Sequence, residues 1–219
     1  MDAQFWLGFI NIIILDLVLS GDNAVVIGMA SRKLPAHQQK QAILYGTIVA
    51  VILRVLLTLI AVWLLKIPLL KAVGGLLLVW IAIKLLMDED EEEDLELGYG
   101  LKSAVKTIII ADVVMSLDNV LAVAGAAHGD FLLVLLGLAL SVPILMGGSR
   151  IVATVMNKLP WLVYVGSGIL AYTAGQLLVE DKIIHDHLVT RADYLTWMTP
   201  TLLIGLVLGA GYLFRGRRT

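Results

Sequence analysis

Apolar residues dominate seven stretches of this chain, and charged residues gather between them. The runs lie near residues 5–28, 42–65, 69–87, 103–127, 131–155, 161–179 and 199–214. Each approaches the roughly 20 residues that a helix needs to cross a hydrocarbon core. The breaks carry turn formers and charges: residues 31–41, Lys66-Ile67-Pro68, an acidic run, His128-Gly129-Asp130, Asn157-Lys158-Leu159-Pro160 and residues 181–198. This pattern predicts an all-α, polytopic membrane protein of about seven transmembrane helices.

Two of the runs hold polar residues where lipid disfavours them. The first contains Asp16, Ser20, Asp22 and Asn23; the fourth contains Asp112, Ser116, Asp118 and Asn119, each 96 positions after its counterpart. A carboxylate at mid-membrane costs roughly 2.5 to 3.5 kcal/mol on insertion scales, so intramembrane acids are functional candidates by default. The duplication extends further. Arg54 follows Asp22 by 32 residues and Arg150 follows Asp118 by 32; Pro68 and Gly74 match Pro160 and Gly166; the segment 85–89 matches 177–181. Three helices therefore repeat and a seventh is added. An odd number of crossings makes consecutive copies enter the bilayer in opposite directions, the inverted-repeat arrangement whose sites form near the midplane, often at interrupted helices. The expected organisation is residues 1–87 as a first three-helix repeat, 88–102 as an acidic loop, 103–181 as the second repeat, and 182–219 as the last helix with a basic tail.

Composition agrees. The chain of 219 residues is 59% hydrophobic and only 16% charged, against about 25% charged in soluble domains, and its mean hydropathy is +0.92. The net charge of -2 says little about partners, because eight acids crowd residues 88–96. That run reads as a solvated, self-repelling loop, with concentration of cations at a pore mouth as the more specific alternative. The chain has no cysteine, which excludes thiolate ligands and cysteine nucleophiles. The opening Met1-Asp2-Ala3-Gln4 lacks the basic region of a secretory signal, so the first run is expected to remain as a helix. Nine Lys and Arg (32, 33, 40, 102, 106, 158, 215, 217, 218) fall on one side and four (66, 71, 182, 191) on the other. That bias places the C-terminus and acidic loop in the cytoplasm and the N-terminus outside.

The motifs define the chemistry. On a continuous helix Asp16, Ser20 and Asn23 share a face while Asp22 points elsewhere; a bend near Gly21 would let Asp22 join them and free backbone carbonyls. Asp16, Asp22 and Asn23 with Asp112, Asp118 and Asn119 are the candidate metal ligands, with Ser20, Ser116, Arg54 and Arg150 in support. Oxygen-only donors suit magnesium, calcium or manganese. The arginines balance the carboxylates in the absence of cargo, and carboxylates crowded together can exchange protons for a metal. The plainer reading, helices held together by Ser and Asn hydrogen bonds, leaves the duplicated acids without a purpose. His185-Asp186-His187 has no copy in the first half, and His37 and His128 carry still less signal. The five tryptophans read as interfacial anchors.

At these motifs, 16-DLVLSGDN-23 and 112-DVVMSLDN-119, the chain resembles the TerC family of membrane proteins, related to the LysE transporter superfamily, and most of all its short bacterial branch with an acidic central loop. The resemblance implies manganese(II) export across the bacterial plasma (inner) membrane, supplying metal to exported proteins, with contact to the protein translocation machinery. Tellurite resistance, associated with the family, would be indirect, because four ionised Asp repel an oxyanion. The expected partners are a divalent cation and the lipid bilayer; neither a resident cofactor nor nucleic acid is expected, and the oligomeric state stays open. Two other classes compete: a non-transporting scaffold for metalation or tellurite resistance, and an intramembrane aspartyl hydrolase using Asp16 and Asp22. No G-x-x-x-x-G-K loop is present, which argues against ATP-driven pumping.

Overall fold

Lipid offers backbone groups no hydrogen-bond partners, so a chain this apolar must satisfy them within helices or a closed barrel. Here it forms helices. A computed structural model describes residues 3–64, 67–87, 99–126 and 131–215, and no strand occurs among them. The elements are α1 (Ala3–Leu19), α2 (Gly21–Ser31), α3 (Ala36–Leu64), α4 (Leu70–Met87), α5 (Tyr99–Ala126), α6 (Phe131–Lys158), α7 (Leu162–Glu180), the short α8 (Lys182–His187), a 3-10 turn (Val189–Arg191) and α9 (Leu195–Arg215).

Five described helices are long and apolar enough to cross a membrane: α3, α4, α6, α7 and α9. The first apolar run folds as two helices, of 17 and 11 residues. α5 spans 28 residues but carries Lys102, Lys106, Asp112 and Asp118 along its length. It begins four residues before the expected Ser103, so Tyr99–Lys102 belong to the helix rather than to the loop. α9 likewise starts earlier than expected and holds Pro200 within it. The acidic run 88–96, Lys66, His128, Arg217 and Arg218 lie outside the described residues.

α4 and α7 pack along each other, and α9 covers both. Their shared core includes Leu78, Ile81 and Ala82 of α4, Leu170 and Ala174 of α7, and Val207 of α9. Lipid removes the hydrophobic drive between helices, so close backbone approach and dispersion must hold them. Gly75 meets that need: a Cβ there would stand 2.7 Å from the Ala174 carbonyl oxygen. Gly175 does the same for α9, lying directly against Pro200. α3 packs along α5, while α6 packs along α1 and α2. The outer faces carry exposed Ile52, Leu59, Leu76, Ile151 and Leu206, an apolar surface far larger than soluble proteins tolerate. All five tryptophans are exposed, including Trp63 at 73% and Trp197 at 65%.

At the C-terminal end of α7, Asp181 is buried and ties two helices together. Its Oδ1 accepts from the Ile183 amide at the start of α8, and its Oδ2 accepts from the Ala72 amide in the first turn of α4. One carboxylate thus satisfies orphan amides of two helix N-termini.

Candidate functional site

The two polar motifs meet in the interior, and a single arginine joins them. Arg54, in the middle of α3, is 1% exposed and heads the fully buried side chains by size. Its Nη1 donates to Asp16 Oδ1 at 2.5 Å and to Ser20 Oγ at 2.6 Å. Its Nη2 donates to Asp112 Oδ1 at 2.5 Å, and its Nε donates to Ser116 Oγ at 2.9 Å. Ser20 and Ser116 in turn donate to their own Asp four residues earlier, at 3.2 and 3.3 Å. The guanidinium therefore takes the same Asp and Ser from each motif. A planar fork of five donors can do this; a point charge cannot.

The asparagines stitch the copies together. Asn23 Nδ2 donates to Asp112 Oδ1 at 2.9 Å, and Asn119 Nδ2 donates to the Leu19 carbonyl at 3.0 Å. The second bond depends on the interruption between α1 and α2. Ser20 sits at φ -107, ψ 11, outside the helical well. In an unbroken helix the Asn23 amide would bond to the Leu19 carbonyl; here it donates to Asp22 Oδ1 at 3.0 Å, leaving that carbonyl to Asn119. Gly21, with no heavy atom within 4 Å of a Cβ placed there, lies at this break as the sequence suggests. The matching residue Leu117 stands inside a continuous helix.

Of the sequence candidates, Asp16, Ser20, Asn23, Arg54, Asp112, Ser116 and Asn119 come together. Asp22 does not join the arginine cluster through any described hydrogen bond; it is half-buried, and its Oδ2 accepts from Thr173 Oγ1 on α7 at 3.4 Å. Thr173 was not legible as a site residue, because one threonine in an apolar helix carries no pattern. The Asp118 side chain lies outside what the structure describes. Arg150 is exposed on α6, so the two arginines, alike in the repeat, occupy different environments.

Two buried acceptors of the cluster, Asp16 Oδ2 and Asn23 Oδ1, have no hydrogen-bond partner among the described residues. Buried polar atoms left unpaired are costly, and a carboxylate and an amide oxygen are the donor types that hard divalent cations take. Among the described residues, no three His, Cys, Asp or Glu side chains gather as a metal-binding set. With Arg54 in place, the acids face its guanidinium instead.

A cavity of about 530 Å³ opens beside the motif at the end of the bundle where α4 begins and α7 ends. Its lining includes Leu117, next in sequence to Asp118, together with Glu180, Asp181, Asp186 and His187. Lys71 and Glu180 pair across it at 3.2 Å. Asp186 and His187 of the His185-Asp186-His187 run, which has no copy in the first half, thus face this cavity.

Residues 1–219 match the family described as integral membrane protein TerC family. The chain is 42% identical over 215 residues to the uncharacterized membrane protein YjbE of Bacillus subtilis, covering 98% of each chain. It is 27% identical over 206 residues to the inner membrane protein YoaE of Escherichia coli, covering 84% of this chain but 39% of that one. It is 24% identical over 202 residues to the inner membrane protein YgdQ of Escherichia coli, with 84% and 85% covered. No solved structure matches.

Proposed function

Because this chain belongs to the TerC family of integral membrane proteins, we propose that it is a secondary transporter that exports a hard divalent cation, manganese(II) in first place, across a bacterial inner membrane. The observation that carries this reading is Arg54 bound to an Asp and a Ser from each motif in the buried interior. A guanidinium there acts as a tethered cation. Cargo and arginine compete for Asp16 and Asp112, so loading displaces Arg54 and release returns it. The internal countercharge keeps the emptied site from holding two uncompensated carboxylates, which lipid would penalise by several kcal/mol. Asp16 Oδ2 and Asn23 Oδ1 offer the first free oxygens to an arriving ion. Asp118 and Asp22 complete the set once the helices rearrange, and protons exchanged for metal at these carboxylates couple export to a pH gradient.

Seven crossings suit this mechanism, with α1 and α2 as one interrupted crossing followed by α3, α4, α5, α6, α7 and α9. Residues 1–87 and 103–181 act as inverted repeats, and 182–219 supply the last crossing and tail. The packing supports this reading, since exchanging the repeats turns the α3–α5 contact into that of α6 with α1 and α2, and returns α4–α7 to itself. The basic side faces the cytoplasm, and the 530 Å³ cavity is then the outer vestibule, with Leu117 between it and the site.

The test is manganese flux into liposomes holding only this protein, with and without a pH gradient, and with magnesium and calcium as alternative cargo. Wild type is expected to move manganese. Asp22→Asn and Asp118→Asn are each expected to abolish flux while inserting normally, since each removes a charge without adding volume. Wild-type flux from both variants rejects the site; no flux of any ion from folded protein rejects transport and favours the scaffold.

A further inference from the structure

We propose that the groove between α3 and α5, at the end of the bundle where both helices begin, binds one anionic phospholipid from the surrounding leaflet. The groove encloses about 510 Å³ and is walled by Tyr45 of α3 and by Leu101, Lys102, Val105, Lys106 and Ile109 of α5, among others. Leu101, Val105 and Ile109 recur every four residues and form one continuous apolar rail. At 1.5 Å per residue that rail runs about 12 Å down the helix, close to the roughly 15 Å that one leaflet contributes to the hydrocarbon core. Tyr45 is 51% exposed and lies on a face of α3 that continues with exposed Leu44, Ile48 and Ile52. The groove therefore opens toward lipid rather than into the bundle.

Its charge identifies the occupant. Lys102 and Lys106 are both exposed, one turn apart at the head of the groove, and neither forms an ion pair among the described residues. Two half-buried lysines find company within the bundle instead: Lys71 pairs with Glu180, and Lys84 donates to Ser103 and lies over the Trp80 ring; what sets Lys102 and Lys106 apart is that both stand at one apolar groove. An ammonium one to two turns inside a membrane helix reaches toward the interface, where an anionic headgroup can pair with it. Basic pockets between transmembrane helices attract anionic headgroups, and a phospholipid fills both parts of this groove, with phosphate at the two lysines and an acyl chain along the rail. A soluble anion would leave the rail empty. A zwitterionic lipid would set its own cation against the lysines.

Native mass spectrometry of the full chain, released from nanodiscs of equal phosphatidylglycerol and phosphatidylcholine, tests the site. Wild type is expected to retain phosphatidylglycerol in preference. Lys102→Gln with Lys106→Gln should weaken that retention about 30-fold, the loss expected from two lysines at an anionic surface. Ile109→Trp should reduce it with both lysines intact, by filling the rail, whereas Lys158→Gln, at the same end of the bundle but outside the groove, should leave it unchanged. Four results overturn the proposal: no preference in wild type, an unchanged preference in the double variant, full retention in Ile109→Trp, or equal loss from Lys158→Gln. An unchanged preference would point instead to the acidic segment 88–96 as the countercharge for these lysines.

Discussion

Arg54 and Arg150 occupy matched places in the sequence but differ in what they touch, and that difference decides what their loss should do. Asp112 accepts from Arg54, Asn23 and Ser116, so Asp112→Ala leaves three buried donors short of an acceptor, with Asp16 still paired to the guanidinium, and should cost about 1–3 kcal/mol. Arg150→Gln removes an exposed group and should change stability by less than about 0.5 kcal/mol. Thermal unfolding in detergent distinguishes the two. Arg54→Gln leaves Asp16 and Asp112 without their tethered cation. Divalent affinity, measured by calorimetry, should then rise at least about tenfold while transport stops, because nothing displaces the cargo. Arg54→Lys should restore part of the stability but not the simultaneous contact to Ser20 and Ser116. Unchanged affinity in Arg54→Gln would remove the competition on which the mechanism rests.

Among the elements, the break between α1 and α2 carries the argument. Nothing lies within 4 Å of a Cβ built on Gly21, so Gly21→Ala meets no steric obstacle and favours a continuous helix by about 0.5–1 kcal/mol. Transport should fall with little loss of thermal stability, which separates a conformational need from a packing need. Gly175 is the contrasting case. Its contact with Pro200 leaves no room for a side chain, so Gly175→Val should push α9 from α7 and lower the unfolding temperature by several degrees. If Gly21→Ala transports normally, the break is incidental to the cycle.

For the whole molecule, the absence of cysteine makes single-cysteine labelling direct. Leu117→Cys should react with a small membrane-impermeant thiol reagent from the outer face only, through the cavity that Leu117 lines, and manganese should slow that reaction. Labelling from the cytoplasmic face would invert the proposed orientation. The same experiment separates a water pathway from a cargo pathway, since access without metal protection supports only the former. Under the inverted-repeat reading, Arg150 takes the place of Arg54 when the opposite face opens. It lies about 12 Å from the end of α6, as Arg54 lies about 15 Å from the end of α3. Arg150→Gln should then slow turnover despite leaving stability intact, whereas a surface residue of no consequence would leave the rate unchanged.

The sequence by itself determined the helical class, the positions of most helices and the polar residues that could meet, because a bilayer forces backbone pairing into helices and tolerates acids only where something compensates them. Seven of the ten candidate residues come together, since motifs repeated in apolar runs mark the same internal level. Three-dimensional packing alone decided the rest. Burial is a property of neighbours, so identical offsets could not tell that Arg54 would span both motifs while Arg150 would face outward. The Asn119 bond to the Leu19 carbonyl exists only because Ser20 leaves the helical conformation. The contact from Thr173 to Asp22 joins residues 151 positions apart, a distance over which no local pattern in this chain carries information.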